Sequence, residues 1–123
     1  MKRRSTGFSK EVLALIDARS SGQCEILATG CTLLGEQYHH RRPRGAGGTR
    51  RPDTNEASNG LLCCTRCHLR IESARTWALA HGFLLTQSSH PTSEPVWWRC
   101  SQTVLLDDGG NLIQTTVRTH DCI

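Results

Sequence analysis

Three histidines, an asparagine and a spaced set of cysteines are the residues of this chain best suited to chemistry. His39 and His40 are adjacent, Asn59 follows nineteen residues after His40, and His68 lies nine residues beyond Asn59. His68 directly follows a cysteine in the run Cys64-Thr65-Arg66-Cys67-His68. Imidazoles gathered about a divalent cation can hold it and take a proton from water near neutral pH, because free imidazole titrates at about 6.5. One cation can polarise a phosphoryl oxygen and stabilise a leaving oxygen. A single metal with one histidine base therefore covers the minimum for phosphodiester hydrolysis. On a strand, His39 and His40 face opposite ways, so one reaches the metal while the other faces a water. Asn55 is the competing asparagine, with a thirteen-residue gap to His68 that fits the pattern less well.

Between these histidines lies a phosphate-matching loop. Arg41, Arg42, Arg44, Arg50 and Arg51 fall within eleven residues, interleaved with Gly45, Gly47 and Gly48. Guanidinium forks match phosphate oxygens, and glycine lets backbone approach closely. The loop reads as a non-specific DNA contact with steep salt dependence; the competing reading is a solvated loop. Arg66, Arg70 and Arg75 either add charge near a helix start or form its solvent face. Nothing resembles a base-reading element, so weak sequence preference is expected.

Cys64 and Cys67 have C-x2-C spacing, which brings two thiolates to one tetrahedral ion from a single turn. Cys24 and Cys31, with six residues between them, offer the other two ligands. The expected result is a structural zinc that ties the segment before the first strand to the start of a long helix. Cys63 competes with Cys64 as ligand. Cys100 and Cys122 are remote and are read as non-ligands. The run Cys64 to His68 also spells a c-type haem attachment signature. That reading leaves Cys24 and Cys31 unexplained, and the one methionine, Met1, offers no second axial ligand.

The elements that must position these groups are short. Ser9 caps a helix over 10–20. Gln23 to Leu34 is irregular, Gly35 to His40 reads as a strand, and 41–58 is a polar loop of a length usually functional or mobile. Leu61 to Cys63 reads as a second strand, and a helix runs from Arg66 to His81 with Ile71, Ala74 and Ala78 on one face. Gly82 stops it. Phe83 to Leu85 reads as a strand, Ser88 to Pro95 as a linker, and Val96 to Arg99 and Thr103 to Leu106 as strands. The turn Asp107 to Asn111 returns the chain through Leu112 to Gln114 as a hairpin. One of Trp97 and Trp98 is expected in the core and the other at the surface. His81, His90 and His120 are expected at the surface.

The 123 residues allow one modest core, with 37% hydrophobic and 5% aromatic residues, a composition that often recruits a structural metal. The formal charge is +4, and 13 of 15 basic residues are arginine. Codon bias explains much of that ratio but not the clustering. No apolar run approaches the roughly 20 residues of a membrane helix. The basic start, residues 1–8, reads as a loose tail with no apolar h-region after it, so a cytoplasmic location is expected. In such a reducing compartment, seven cysteines read as metal ligands rather than as a disulfide framework.

The segment from about Cys24 to Gly82 resembles HNH endonucleases of the ββα-metal class, closest to small bacteriophage proteins with a four-cysteine zinc site. The resemblance rests on His39-His40, Asn59, Cys64-x2-Cys67-His68 and the Cys24/Cys31 pair. It implies an α+β fold: a zinc-stapled ββα-metal core over 23–85, preceded by a basic tail and N-terminal helix (1–22) and followed by a C-terminal β extension (86–123). It implies a metal-dependent endonuclease that nicks or cuts duplex DNA. His40 would be the general base, His39 and His68 ligands of the catalytic ion, and Asn59 the residue that holds loop and base, or ligates. Histidine where many members have aspartate makes the site less oxygen-rich, so nickel, zinc or manganese would compete better with magnesium. DNA is the implied partner, with a role beside the terminase large subunit in phage packaging, in the host cytoplasm and without a membrane. The alternative is a zinc-ribbon-like module that binds DNA without cutting it.

Overall fold

Ser9 sits in extended backbone, and its side chain accepts a hydrogen bond from the Val12 amide at 3.2 Å. This satisfies one of the orphan donors at the start of α1 (Lys10–Ser20), which left-handed Ser21 (φ 57°) ends. The computed structural model describes residues 7–44 and 51–115. Within them the chain is a small α+β protein. None of its helices there is long and apolar enough to cross a membrane.

Strands β1 (Gln37–His40) and β2 (Gly60–Cys63) pair antiparallel, with His39 opposite Leu61 and His40 opposite Gly60. Alternation along β2 divides the interior. Leu61 joins a larger cluster with Cys24, Ile26, Ile71 and Phe83, while Leu62 joins a smaller one with Phe8, Ile16 and Tyr38. Gly60 permits this second contact, since a Cβ there would lie 2.5 Å from Ile16 Cδ1.

The expected single helix over Arg66–His81 is two: α2 (Thr65–Ser73) and α3 (Arg75–Ala80), broken at Ala74 (φ −127°, ψ 63°). Neither glycine nor proline sits at the break, so tertiary packing sets it. The turn lets Trp77 meet Phe83, ring centroids 5.1 Å apart, while Ile71 stays buried beneath α2. Gly82 adopts the expected left-handed conformation (φ 78°). Phe83 to Leu85 is buried but is not a strand. The Phe83 and Leu84 amides both donate to the Ala78 carbonyl, and the Leu85 amide donates to the Arg41 carbonyl at 2.7 Å, so no ladder partner exists.

The C-terminal region forms a three-stranded antiparallel sheet, β3 (Val96–Trp98), β4 (Gln102–Leu106) and β5 (Leu112–Gln114), at the three segments expected as strands and hairpin return. The Asp107 carboxylate closes the β4–β5 turn by accepting the Gly109 and Asn111 amides at 3.0 and 2.8 Å. Trp97 and Trp98 are both buried, against the expectation that one faces solvent. Other parts of the chain cover both faces of β3. The Trp98 indole donates to Glu25 at 2.8 Å and lies 4.4 Å beneath the Arg99 guanidinium, and Trp97 enters the larger cluster. His81 is also buried rather than exposed, bonded through Nδ1 to the Trp77 carbonyl at 2.8 Å.

A buried ion pair joins these parts. The Arg19 guanidinium meets the fully buried Glu25 carboxylate at 2.7 and 2.9 Å and also donates to the Ala57 and Gly60 carbonyls. Glu25 further accepts the Leu62 amide and the Trp98 indole, both at 2.8 Å. Every donor here is matched, so deleting the carboxylate strands a buried guanidinium. Glu25→Ala is expected to cost about 3–5 kcal/mol of stability, read by urea denaturation. A loss under about 1 kcal/mol, the level of an exposed pair, would show that the node is not a keystone.

Candidate functional site

Cys24 and Cys31 come from the irregular segment before β1, and Cys64 and Cys67 from the end of β2 and the first turn of α2. Their four ligand atoms all lie within 4.8 Å of one another, with Cys31 Sγ and Cys64 Sγ 3.6 Å apart. A tetrahedral zinc with bonds of about 2.3 Å needs sulfurs about 3.8 Å apart. The donor set therefore fits a structural zinc. Cys64 is also the N-cap of α2, its sulfur accepting the Cys67 amide at 3.3 Å. Hydrogen bonding from the Cys67 thiol pulls the Cys24 pKa down to about 5, so the cluster readily supplies a thiolate. Cys63 points away into the core, and burial keeps its thiol protonated. The choice between Cys63 and Cys64 falls to Cys64. Cys100 lies outside the cluster and is disulfide-bonded, so the thiols are not all kept for metal.

Among the described residues the four cysteines are the one group with ligand atoms this close, but a second set of polar side chains lines a cleft where β1 meets α2. His39, His40 and His68 line one cleft of about 320 Å³ together with Glu72, Arg44 and Arg75. The His39 and His68 rings are 5.2 Å apart at 63°. Each is oriented by its other nitrogen, as metal-binding histidines are. His39 Nε2 donates to the Phe83 carbonyl at 2.7 Å, which leaves Nδ1 as the donor atom for an ion. His68 Nδ1 donates to the Gln37 side-chain oxygen, which leaves Nε2. Burial pushes the His39 pKa down to about 3, and the charges of His68 and His40 add to the effect, so the ring stays neutral as a ligand must. Glu72 lies one turn after His68 on α2, and its carboxylate opposes the burial-driven lowering of the His68 pKa. Sequence reading missed Glu72. The signal was the i, i+4 spacing from His68, which puts both residues on one helix face.

His40 is held differently. Its ring stacks on Phe8, centroids 4.2 Å apart at 11°, and its Nε2 meets Asn55 Oδ1 at 2.8 Å. Burial first, then the Arg44 charge, lowers its pKa against the opposing Asn55 bond. Asn59, expected to hold loop and base or to ligate, is fully buried and remote from a ligand role. Its Oδ1 accepts the Arg42 amide at 2.8 Å, and its Nδ2 donates to the Arg42 and Thr54 carbonyls at 3.1 and 2.8 Å. Asn59 thus ties Arg42 to Thr54, and Asn55 meets His40.

The arginine loop departs most from expectation. Arg41 and Arg42 are fully buried and offer no guanidinium to DNA. Arg41 donates to four carbonyls, those of Gly82, Ser58, Pro91 and Glu94, at 2.7–3.1 Å. Arg42 grips Asp53, Thr54 and the Ser89 carbonyl. Arg51 is half-buried and donates to the Gln87 carbonyl. Arg50 lies outside the described residues. Arg44 is exposed at the cleft, and Arg75 faces it from the start of α3.

The Arg42–Asp53 pair fixes the turn that carries Asn55. Hydrogen bonding from Arg42 holds the Asp53 carboxyl below its ordinary 3.8. A depressed folded pKa means the unfolded chain binds the proton first. The pair's contribution is therefore complete above the unfolded pKa and disappears as pH falls through the lowered folded value. Asp53→Asn should lower the melting temperature near neutrality, and the gap to wild type should close as pH falls below the carboxyl's ordinary 3.8. A gap independent of pH would show that the carboxylate charge contributes nothing.

Comparison of the chain with protein-family models, with curated proteins and with solved structures gives no match, so the functional reading rests on the geometry of the site itself.

Proposed function

We propose that this protein is a metal-dependent DNA endonuclease of the HNH, ββα-metal type. The observation that carries the proposal is the convergence of His39, His40 and His68 with Glu72 on one cleft, flanked by Arg44 and Arg75. The order of elements supports it: an antiparallel pair bearing the two adjacent histidines, followed by a helix bearing the third. His39, His68 and Glu72 are the residues that would hold a divalent cation, by two imidazole nitrogens and a carboxylate. Mixed nitrogen and oxygen donors suit magnesium, manganese, nickel or zinc, and Glu72 restores some of the oxygen character that a histidine at position 39 removes. When bound, that ion supplies charge neutralisation on the phosphoryl and leaving oxygens.

The chain's own residues do the rest. His40, neutral at pH 7, removes the proton from the attacking water. Arg44 and Arg75 present guanidinium groups to the phosphates on either side of the cleft, in place of the buried Arg41 and Arg42. Asn59 and Arg41 hold the loop between β1 and β2 against the core and so keep the cleft in shape. The four-cysteine cluster anchors the start of α2, and thereby His68 one residue after Cys67.

Supercoiled plasmid incubated with magnesium, manganese or nickel tests the proposal. Conversion to open circles, abolished by EDTA, is expected. Retarded migration without conversion under every metal would replace the endonuclease with a zinc-stabilised DNA-binding module.

A further inference from the structure

We propose that Lys2, Arg3 and Arg4 form an arm that grips the DNA backbone beside the cleft, a role that rests on the endonuclease reading. Residues 1–6 lie outside the described part of the chain; Gly7 to Ser9, from which they extend, lie within it. Phe8 is buried, and its ring stacks on His40 with centroids 4.2 Å apart. Ser9 caps α1. Gly7 passes close to the rim of the cleft: a Cβ there would lie 2.9 Å from Arg44 Nη1 and 3.1 Å from Asn55 Oδ1. Its φ of 107° is one that residues with a side chain rarely adopt, so glycine both makes the bend and leaves room for the passage. The root of the arm is therefore fixed next to Arg44, which lines the cleft together with His40.

Reach and charge point to the same ligand. An extended chain covers at most about 3.3–3.6 Å per residue. Arg4, three residues before Gly7, thus stays within about 11 Å of it, and Lys2 within about 18 Å. Each strand of a duplex presents a phosphate about every 3.4 Å along the helix axis, so an arm of this length can give each of its three cations a separate phosphate. Residues 1–10 hold Lys2, Arg3, Arg4 and Lys10 and no acidic side chain. Lys10 opens α1, where the helix dipole disfavours a cation, so the positive charge at this end does not serve the helix. Arg44 and Arg75 already line the cleft, and like charges along one face sum into a field that draws in a polyanion. With Arg41 and Arg42 buried, the arm supplies phosphate contacts that those two do not. Backbone contacts of this kind form equally with substrate and transition state, so the arm acts on KM rather than on kcat. They carry no base preference.

The experiment measures binding of a fluorescent DNA duplex to the zinc-loaded full chain, with no catalytic metal added, from about 50 to 200 mM salt. Replacing Lys2, Arg3 and Arg4 together by alanine should reduce the slope of log Kd against log salt by about 2–3, near 0.9 for each phosphate released. The charge-keeping set Lys2→Arg, Arg3→Lys and Arg4→Lys should retain the wild-type slope, because counterion release counts charges. In plasmid nicking the triple-alanine variant should show a raised KM and an unchanged kcat. Its melting temperature should match wild type, since the three residues precede the Ser9 cap. A triple-alanine variant with the wild-type salt slope would overturn the proposal. So would one that binds DNA more tightly than wild type, which would make the segment a cover over the cleft instead of an arm. If wild type nicks no plasmid while the alanine variant still loses its salt slope, the endonuclease reading fails and the DNA-gripping arm stands.

Discussion

Stripping zinc from the four-cysteine cluster is expected to unfold the chain. Among the described residues, the isolated bridge from Gln23 to Leu34 is the one β contact that the segment holding Cys24 and Cys31 makes outside the named strands. The cluster ties this segment to the start of α2, beside the packing of Ile26 and Ala28 against Ile71 in the larger core. In zinc-finger peptides the metal contributes about 10–16 kcal/mol. A whole domain is stable by about 5–15 kcal/mol. Loss of the ion therefore removes a free energy comparable to the entire margin. Cys64→Ser should have a similar effect, because it deletes a ligand even though serine can still cap α2. Cys63→Ala is the control: its thiol lies outside the cluster, so zinc should stay bound and stability should fall only by about 1 kcal/mol for a small cavity. Metal analysis should find one zinc per chain in wild type and Cys63→Ala, and a deficit in Cys64→Ser. Circular dichroism during chelation then reports the fold. A chain that keeps its helical signal and melting temperature with no zinc bound would refute the structural role.

His40→Ala is expected to slow DNA cleavage by about 100- to 10,000-fold, the range for removing a general base. Its structural cost should be small. The variant loses the stack on Phe8, worth about 1 kcal/mol, and leaves the zinc cluster and the Arg19–Glu25 node untouched. Activity lost with the zinc content retained identifies a chemical role. The acid side of the pH profile gives a second check. Burial and the Arg44 charge place the His40 pKa below 6.5. The base acts only when neutral, so the rate should be level above that pKa and fall about tenfold per pH unit beneath it. The descending limb should therefore lie on the acid side of 6.5. A rate unchanged from pH 8 down to about pH 4 would remove His40 from the role of base.

Residues whose role depends on neighbours close in sequence were legible without coordinates. Ser9 as a cap, Gly82 as a left-handed stop, the Asp107 turn and the Cys64–Cys67 knuckle all express local geometry, in which side-chain type and spacing carry the information. The Cys24/Cys31 half was legible because thiols have few other uses at that density. Glu72 was equally local, one helical turn from His68.

Contacts across long stretches of chain were decided only by the tertiary structure. Arg41 and Arg42 read as phosphate ligands because a loop rich in arginine and glycine matches DNA. Arg41 instead meets carbonyls 17 to 53 residues away, and no spacing rule announces backbone acceptors. Trp98 is buried because Glu25, 73 residues earlier, accepts its indole hydrogen. The break at Ala74 has no glycine or proline to mark it in the sequence, and Trp77 docks on Phe83 just beyond it. Asn59 keeps the loop contacts expected of it, while Asn55 takes the contact with His40: spacing left both carboxamides open, and only the folded turn showed which one faces that ring. The amino-acid order thus determined which chemical groups are present and the local turns that hold them. Three-dimensional packing decided which arginines meet solvent and which asparagine meets His40, because burial and long-range hydrogen bonding are properties of the assembled core.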